Sequence, residues 1–318
     1  MEIYSKAKTA IVVLGTLMLI TVGITGTGAA AETKLISGGM GAPTSDATKG
    51  AAKFAEIVAE KTGGRIKINH NPGGALGTGQ EQMEAVSSGT QQLFISAGSQ
   101  ASRLVKSIGV IDAAFLFKDF DHLERFMQSD MWAEANQQLI DQFGVRALAT
   151  NWFALPRYFM SRDKFIMSVD DVKGVRTRTS SVPMYVQNYE NMGAIPVKVA
   201  YPEQYLALSQ GVVDLTESAA NRILSTKLYE VAPFITECDM MFPQVSVFMN
   251  EDAFQKLNPE DQKILTDAAN EAGIYYTKIA ADAYALQREE IISKGASSNV
   301  CLKKPGRILP RKPWRQCQ

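Results

Sequence analysis

Two arginines stand where an anion-binding side chain is expected. Arg178 closes the run Gly174-Val175-Arg176-Thr177-Arg178 and is followed by Thr179-Ser180-Ser181. This reads as a strand giving way to a helix, and in open α/β sheets ligands collect at that carboxyl edge. A planar fork of N–H donors there suits a carboxylate. Arg176 shares the face by strand alternation, but only Arg178 reaches the open end. Arg157, between Pro156 and Tyr158-Phe159, is placed as well to stack on the neighbouring rings as to hold an anion. Asp214 and Glu217 could work as acid and base, or end a buried strand and tune the polarity of a cleft. Trp152 and Tyr201 sit at strand ends, as core aromatics or as ligand walls.

Other chemistry is sparsely supplied. His70 and His122 are the only histidines of the chain and lack metal spacing, so surface or supporting roles fit them better. No phosphate-loop pattern can be written around Gly73–Gly79 and no catalytic serine elbow occurs. Cys238, Cys301 and Cys317 match no metal or redox motif. Cys238 follows Phe234-Ile235 in an expected strand and reads as a buried, inert thiol. A Cys301–Cys317 disulfide is conceivable in an oxidising compartment. Lys+Arg and Asp+Glu balance at 33 each in 318 residues, which points to no polyanionic partner. No cofactor, metal or nucleic acid is expected, and catalysis is the weaker reading.

The elements that must position these residues repeat. Strand, helix, strand, helix, strand is read from Leu35 to Ser96 and again from Val175 to Glu217. In the first copy Ala51, Phe54, Ala55 and Val58 line one helical face, and Gly63-Gly64 stops it. Two copies of one α/β unit predict a two-lobed protein, each lobe a mostly parallel sheet, with a hinge and a ligand cleft between them. The expected division is lobe I over 32–151 and lobe II over 152–237. Residues 238–295 would cross back to lobe I through Val245–Asn250 and end in a long lobe-spanning helix weakened only at Gly273.

Both ends of the chain differ from its body. Lys6 and Lys8, an apolar run from Ala10 to Ile24 and Ala29-Ala30-Ala31 read as a secretory signal peptide over 1–31, although a retained anchor needs only a somewhat longer unbroken run. Residues 296–318 form a basic tail without acids, read as a solvated, unstructured terminus or as a disrupted natural end.

Several motifs in sequence order resemble the extracytoplasmic solute-binding proteins of TRAP transporters, the DctP-like branch. KGAAKFAEIVAEKTGGRIKI, PGGALG and EAVSSGT resemble the first-lobe signature. KGVRTRTSSVPMY, GAIPVKVAYPEQYLALSQGVVDLTES and STKLYEVAPFIT resemble the second. The resemblance implies a periplasmic protein that captures a small organic acid and delivers it to the membrane permease subunits of a TRAP transporter. It implies Arg178 as the carboxylate anchor, Arg157 as a second ligand-side arginine, Tyr201 as an aromatic wall and Ser218 at a position that is often Asn. Leu215 replaces a usual Gly; with Ser218 it implies a pocket that reads a different remainder of the ligand. A binding protein of an ATP-driven importer and a bilobed α/β enzyme are the competing readings.

Overall fold

Side-chain caps set the first helices of the structure, a computed structural model that describes residues 32–300. Ser45 accepts from the Thr48 N–H and starts α1 (Asp46–Lys61), which buries Ala51, Phe54, Ile57 and Val58. Thr78 and Glu81 form a reciprocal capping box at α2 (Gly79–Ser88), satisfying two N–H groups that a helix start leaves open. These helices connect β1 (Thr33–Gly39), β2 (Ile66–Asn71) and β3 (Leu93–Ala97), parallel strands in the order β2-β1-β3. Two further helices, α3 (Phe120–Met127) and α4 (Asp130–Phe143), lead to β4 (Val145–Phe153).

The second half repeats the arrangement. After β5 (Tyr158–Ser161) come β6 (Arg176–Thr179), α5 (Pro183–Asn191), β7 (Ile195–Lys198), α6 (Gln204–Ser209) and β8 (Leu215–Ser218). Their order is β7-β6-β8, the same outward-then-across pattern as β2-β1-β3. The short helix α7 (Ala220–Ser225) and β9 (Phe234–Glu237) follow, and β10 (Gln244–Asn250) returns to the first sheet. It lies antiparallel between β3 and β4, giving β2-β1-β3-β10-β4. The helices α8 (Glu251–Gln255) and α9 (Pro259–Ser293) and the strand β11 (Ser297–Val300) complete the described chain.

Each lobe therefore has a mixed sheet, in which a parallel half is extended by antiparallel strands. Lobe II reads β11-β9-β5-β8-β6-β7. The strand β11 corrects the expectation of an unstructured tail from residue 296: Ser297 to Val300 pair in parallel with Phe234 to Glu237. Its Ser-Ser-Asn-Val sequence has no hydrophobic alternation to announce a strand. The expected signal peptide, Cys301, Cys317 and the rest of the tail lie outside the described residues. Among the described residues no helix is long and apolar enough to cross a membrane, and no three His, Cys, Asp or Glu side chains gather as a metal-ligand set.

The two crossing segments between the lobes bind each other. Ala154 N–H donates to Pro243 O, Arg157 N–H to Met241 O, and Met240 N–H to Arg157 O. The 35 residues of α9 extend about 50 Å at helical rise. Leu265, Ala268, Ala269, Ala272 and Tyr276 join the core of lobe I, while Ala280 and Ile291 join that of lobe II. Cys238 is buried.

His70 ends β2 with Nδ1 2.9 Å from Ser37 Oγ, its ring over Gly39, where a Cβ would come within 2.9 Å of Cε1. Burial lowers its pKa to about 4 from an ordinary 6.5. The folded value lies below the unfolded one, so this contribution is present above pH 6.5 and lost as pH falls towards 4, up to about 3 kcal/mol in all. Asp112 acts oppositely, because burial raises it to about 6: its contribution is full below about pH 4 and lost as pH rises through 6. His70→Gln is expected to lose less stability than the parent between pH 7 and 4.5, read as urea midpoints at both values. A parallel loss in both proteins would remove His70 from the account.

Candidate functional site

The two arginines of β6 share a strand face but differ in depth. Arg176 is exposed and gives Nε and Nη2 to the two Asp214 carboxylate oxygens, both at 2.9 Å. Asp214 is thereby taken up at the surface. Arg178 is 1% exposed and donates from Nε and Nη2 to the Val199 carbonyl at 3.1 and 2.9 Å. Its side edge is thus occupied, and the end-on edge of Nη1 and the second Nη2 hydrogen remains. Nη1 lies 3.8 Å from Glu217 Oε1.

Arg157 precedes β5, and Glu217 sits on the neighbouring strand β8, in register with Phe159. Arg157 Nη1 approaches Glu217 Oε2 at 3.2 Å, yet its Nε and Nη1 are buried without a hydrogen bond among the described residues. Tyr201 begins the turn before α6 and lines the cavity beside Arg157. Burial pushes the Tyr201 phenol up, but Arg222 and Arg157 together outweigh it and leave it below its ordinary value. Burial acts against the charge of Arg157 too, and there the Glu217 carboxylate wins and holds the guanidinium well above its usual range.

These groups face a cavity of about 370 Å³ between the lobes. Arg157, Arg178, Tyr201 and Glu217 line it from lobe II, and Gln100, Arg103, Ser99 and Gln244 from lobe I and its returning strand. The lobes also touch around its rim. Arg103 Nη2 donates to Ser181 Oγ at 2.7 Å, and Asn221 Nδ2 to Asp46 Oδ2 at 2.9 Å. Such a cavity, apolar in part with convergent polar groups, suits a small solute held between two closing lobes.

The structure does not bring every expected residue to this wall. Trp152 is fully buried in lobe I, its Nε1 donating to Ala269 O at 2.8 Å and its ring against Tyr276. A Cβ on Gly50 or Gly273 would approach that ring to 2.7 and 2.5 Å, so the glycine interrupting α9 makes room for the indole. Ser218 is 0% exposed, and its Oγ has no hydrogen-bond partner among the described residues. Alternation turns it to the face opposite Glu217, and the residue that lines the cavity there is Ala219. Leu215 fills the core beside Phe159 and Tyr189. The departures at 215 and 218 therefore act on packing, and the cavity wall does not read them.

Arg222 also lines the cavity and was not anticipated. It lies on α7, directly after β8, as Ser180 and Ser181 lie directly after β6. The strand-end argument applied to Arg178 also fits Thr216-Glu217-Ser218-Ala219-Ala220-Asn221-Arg222. Its guanidinium carbon stacks 3.4 Å from the Tyr201 ring centre.

Residues 38–304 match the family model for bacterial extracellular solute-binding proteins, family 7, named DctP. The 2,3-diketo-L-gulonate-binding periplasmic protein YiaO of Escherichia coli is 28% identical over 232 residues, 73% of this chain and 70% of that protein. A TRAP periplasmic solute-binding protein of Roseobacter denitrificans, solved with bound β-D-glucuronate, superimposes with a TM-score of 0.81 at 25% identity, covering 86% of this chain and 89% of its own. One from a Polaromonas species, solved with D-erythronate, gives 0.79 at 26% identity with the same coverage. With the two-sheet topology and the closed inter-lobe cavity, the match establishes that this chain belongs to the DctP family of extracellular solute-binding proteins.

Proposed function

We propose that this protein captures a small organic acid in the periplasm and releases it unchanged to the membrane permease subunits of a TRAP-type transporter. The observation that carries this reading is the free end-on edge of Arg178, buried in the inter-lobe cavity with its side edge fixed by Val199 O. A guanidinium pinned in this way meets a carboxylate with two parallel N–H donors and loses little rotamer freedom on binding. Arg157, Tyr201 and Glu217 complete the ligand-binding set. Glu217 holds Arg157 and accepts hydroxyl donors from the ligand. The relatives named above carry sugar acids or keto sugar acids in their descriptions, which supports polyhydroxylated carboxylates as the first candidates to try. Residues 1–31 serve as the export signal.

A thermal-shift screen over organic acids tests the reading, because a ligand that binds only the folded state adds about 2.7 kcal/mol at a hundred times its Kd. Acids are expected to raise the transition, and their neutral lactones or amides are not. A screen in which neutral solutes alone raise it would overturn the assignment. Recovery of a chemically altered acid after long incubation would replace binding with turnover.

A further inference from the structure

At one side of the cavity mouth the lobes meet through a side chain that lobe I holds in advance. Arg103 ends the 3-10 turn Gly98–Arg103, which follows the carboxyl end of β3. Its Nε donates to Gln100 Oε1 at 3.0 Å and its Nη1 to Gln80 Oε1 at 3.3 Å, both on lobe I. Gln100 is itself wedged against the start of α2, where a Cβ on Gly79 would come within 2.7 Å of its Nε2. Nη2 is left to reach across to Ser181 Oγ at 2.7 Å. Arg103 and Gln80 line the ligand cavity on one side and, with Met83, Leu104 and Pro183, a recess of about 250 Å³ on the other. The guanidinium therefore stands between the two spaces.

Ser181 lies three residues beyond Arg178, on the segment that leads from β6 into α5. Whatever draws Arg178 towards lobe I brings Ser181 to Arg103 with it. All three acceptors of Arg103 are neutral, and Glu84 acts on it only through space, too weakly to offset the burial that lowers its proton affinity. A carboxylate facing it would form the stronger bidentate pair and hold the lobes shut with nothing inside. A hydroxyl gives a single, weaker bond that adds to closure without dictating it. The other rim contact is not separable in this way, because Asp46 also opens α1 and pairs with Lys49 at 3.0 Å. Resting only on the reading that a solute is held between the lobes, we infer that Arg103 is the gate of the cavity: it latches onto Ser181 when the lobes close and sets how fast the solute leaves.

Small-angle scattering of the empty protein and release rates of a bound acid test the gate from two sides. Ser181→Asp, which sets a carboxylate before Arg103, should make the empty protein more compact than Ser181→Ala does, and adding Arg103→Gln to both should abolish that difference. The release probe is the acid of largest thermal shift in the screen above, followed by stopped-flow fluorescence. Arg103→Gln and Ser181→Ala are each expected to speed its release about tenfold, and the double variant no more than either alone, because both remove the same bond. Ser181→Ala changes an exposed residue, so it tests the latch even if Arg103→Gln disturbs lobe I. Effects that multiply in the double variant would make Arg103 a contact of the solute itself, and release unchanged in Ser181→Ala would leave the rim bond without a role. Either result overturns the inference, as does identical scattering of Ser181→Asp and Ser181→Ala. If no acid binds, the organic-acid reading falls while the scattering pair still decides the gate.

Discussion

Arg178→Ala is expected to weaken binding of the acid by at least about a hundredfold. Two charge-assisted hydrogen bonds contribute roughly 1.5–3 kcal/mol each. The substitution also leaves the buried Val199 carbonyl without its donors, a cost of about 1–3 kcal/mol to the fold. Arg178→Lys separates the effects. Its ammonium keeps the charge and one bond to Val199 O but cannot present parallel donors, so stability should recover more than affinity does. Calorimetric affinity within threefold of the parent in Arg178→Ala, for an acid the parent binds, would remove Arg178 as the anchor.

The second large effect falls on the fold. Trp152→Ala should destabilise the protein by about 3–5 kcal/mol, as large aromatic truncations in packed cores do, lowering the thermal midpoint on the order of 10 °C. Affinity for the acid should stay within threefold, because the indole lies between Gly50 of α1 and Gly273 of α9, away from the cavity. A large fall in affinity with an unchanged midpoint would restore Trp152 to the ligand wall.

These two residues also show how far the sequence is legible. The place of Arg178 on the cavity wall was readable because two facts coincide: a strand end fixes position along the chain, and the hydroxyl-bearing Thr179-Ser180-Ser181 follow directly. Trp152 shares the first fact only. The end of β4 places it near the lobe boundary, but which face of the strand it occupies depends on where α1 and α9 pack, about 100 residues away on either side in sequence. The repeated α/β units were legible from helical periodicity and glycine stops, which are local. The return of β10 to the first lobe followed from its apolar run, but its antiparallel place between β3 and β4 did not, and β11 was missed because Ser-Ser-Asn-Val carries no strand alternation. Arg222 carried the same local signal as Arg178, one turn past a strand end.

The insertion of β10 between β3 and β4 has a consequence for how the chain is made. As the polypeptide emerges from its N-terminus, β3 and β4 are complete by residue 153, yet the strand that joins them does not exist until residue 250. Lobe II waits longer still, for the C-terminal half of α9 and for β11. Both sheets therefore wait for the last quarter of the chain, and each closes only after most of the polypeptide has been made.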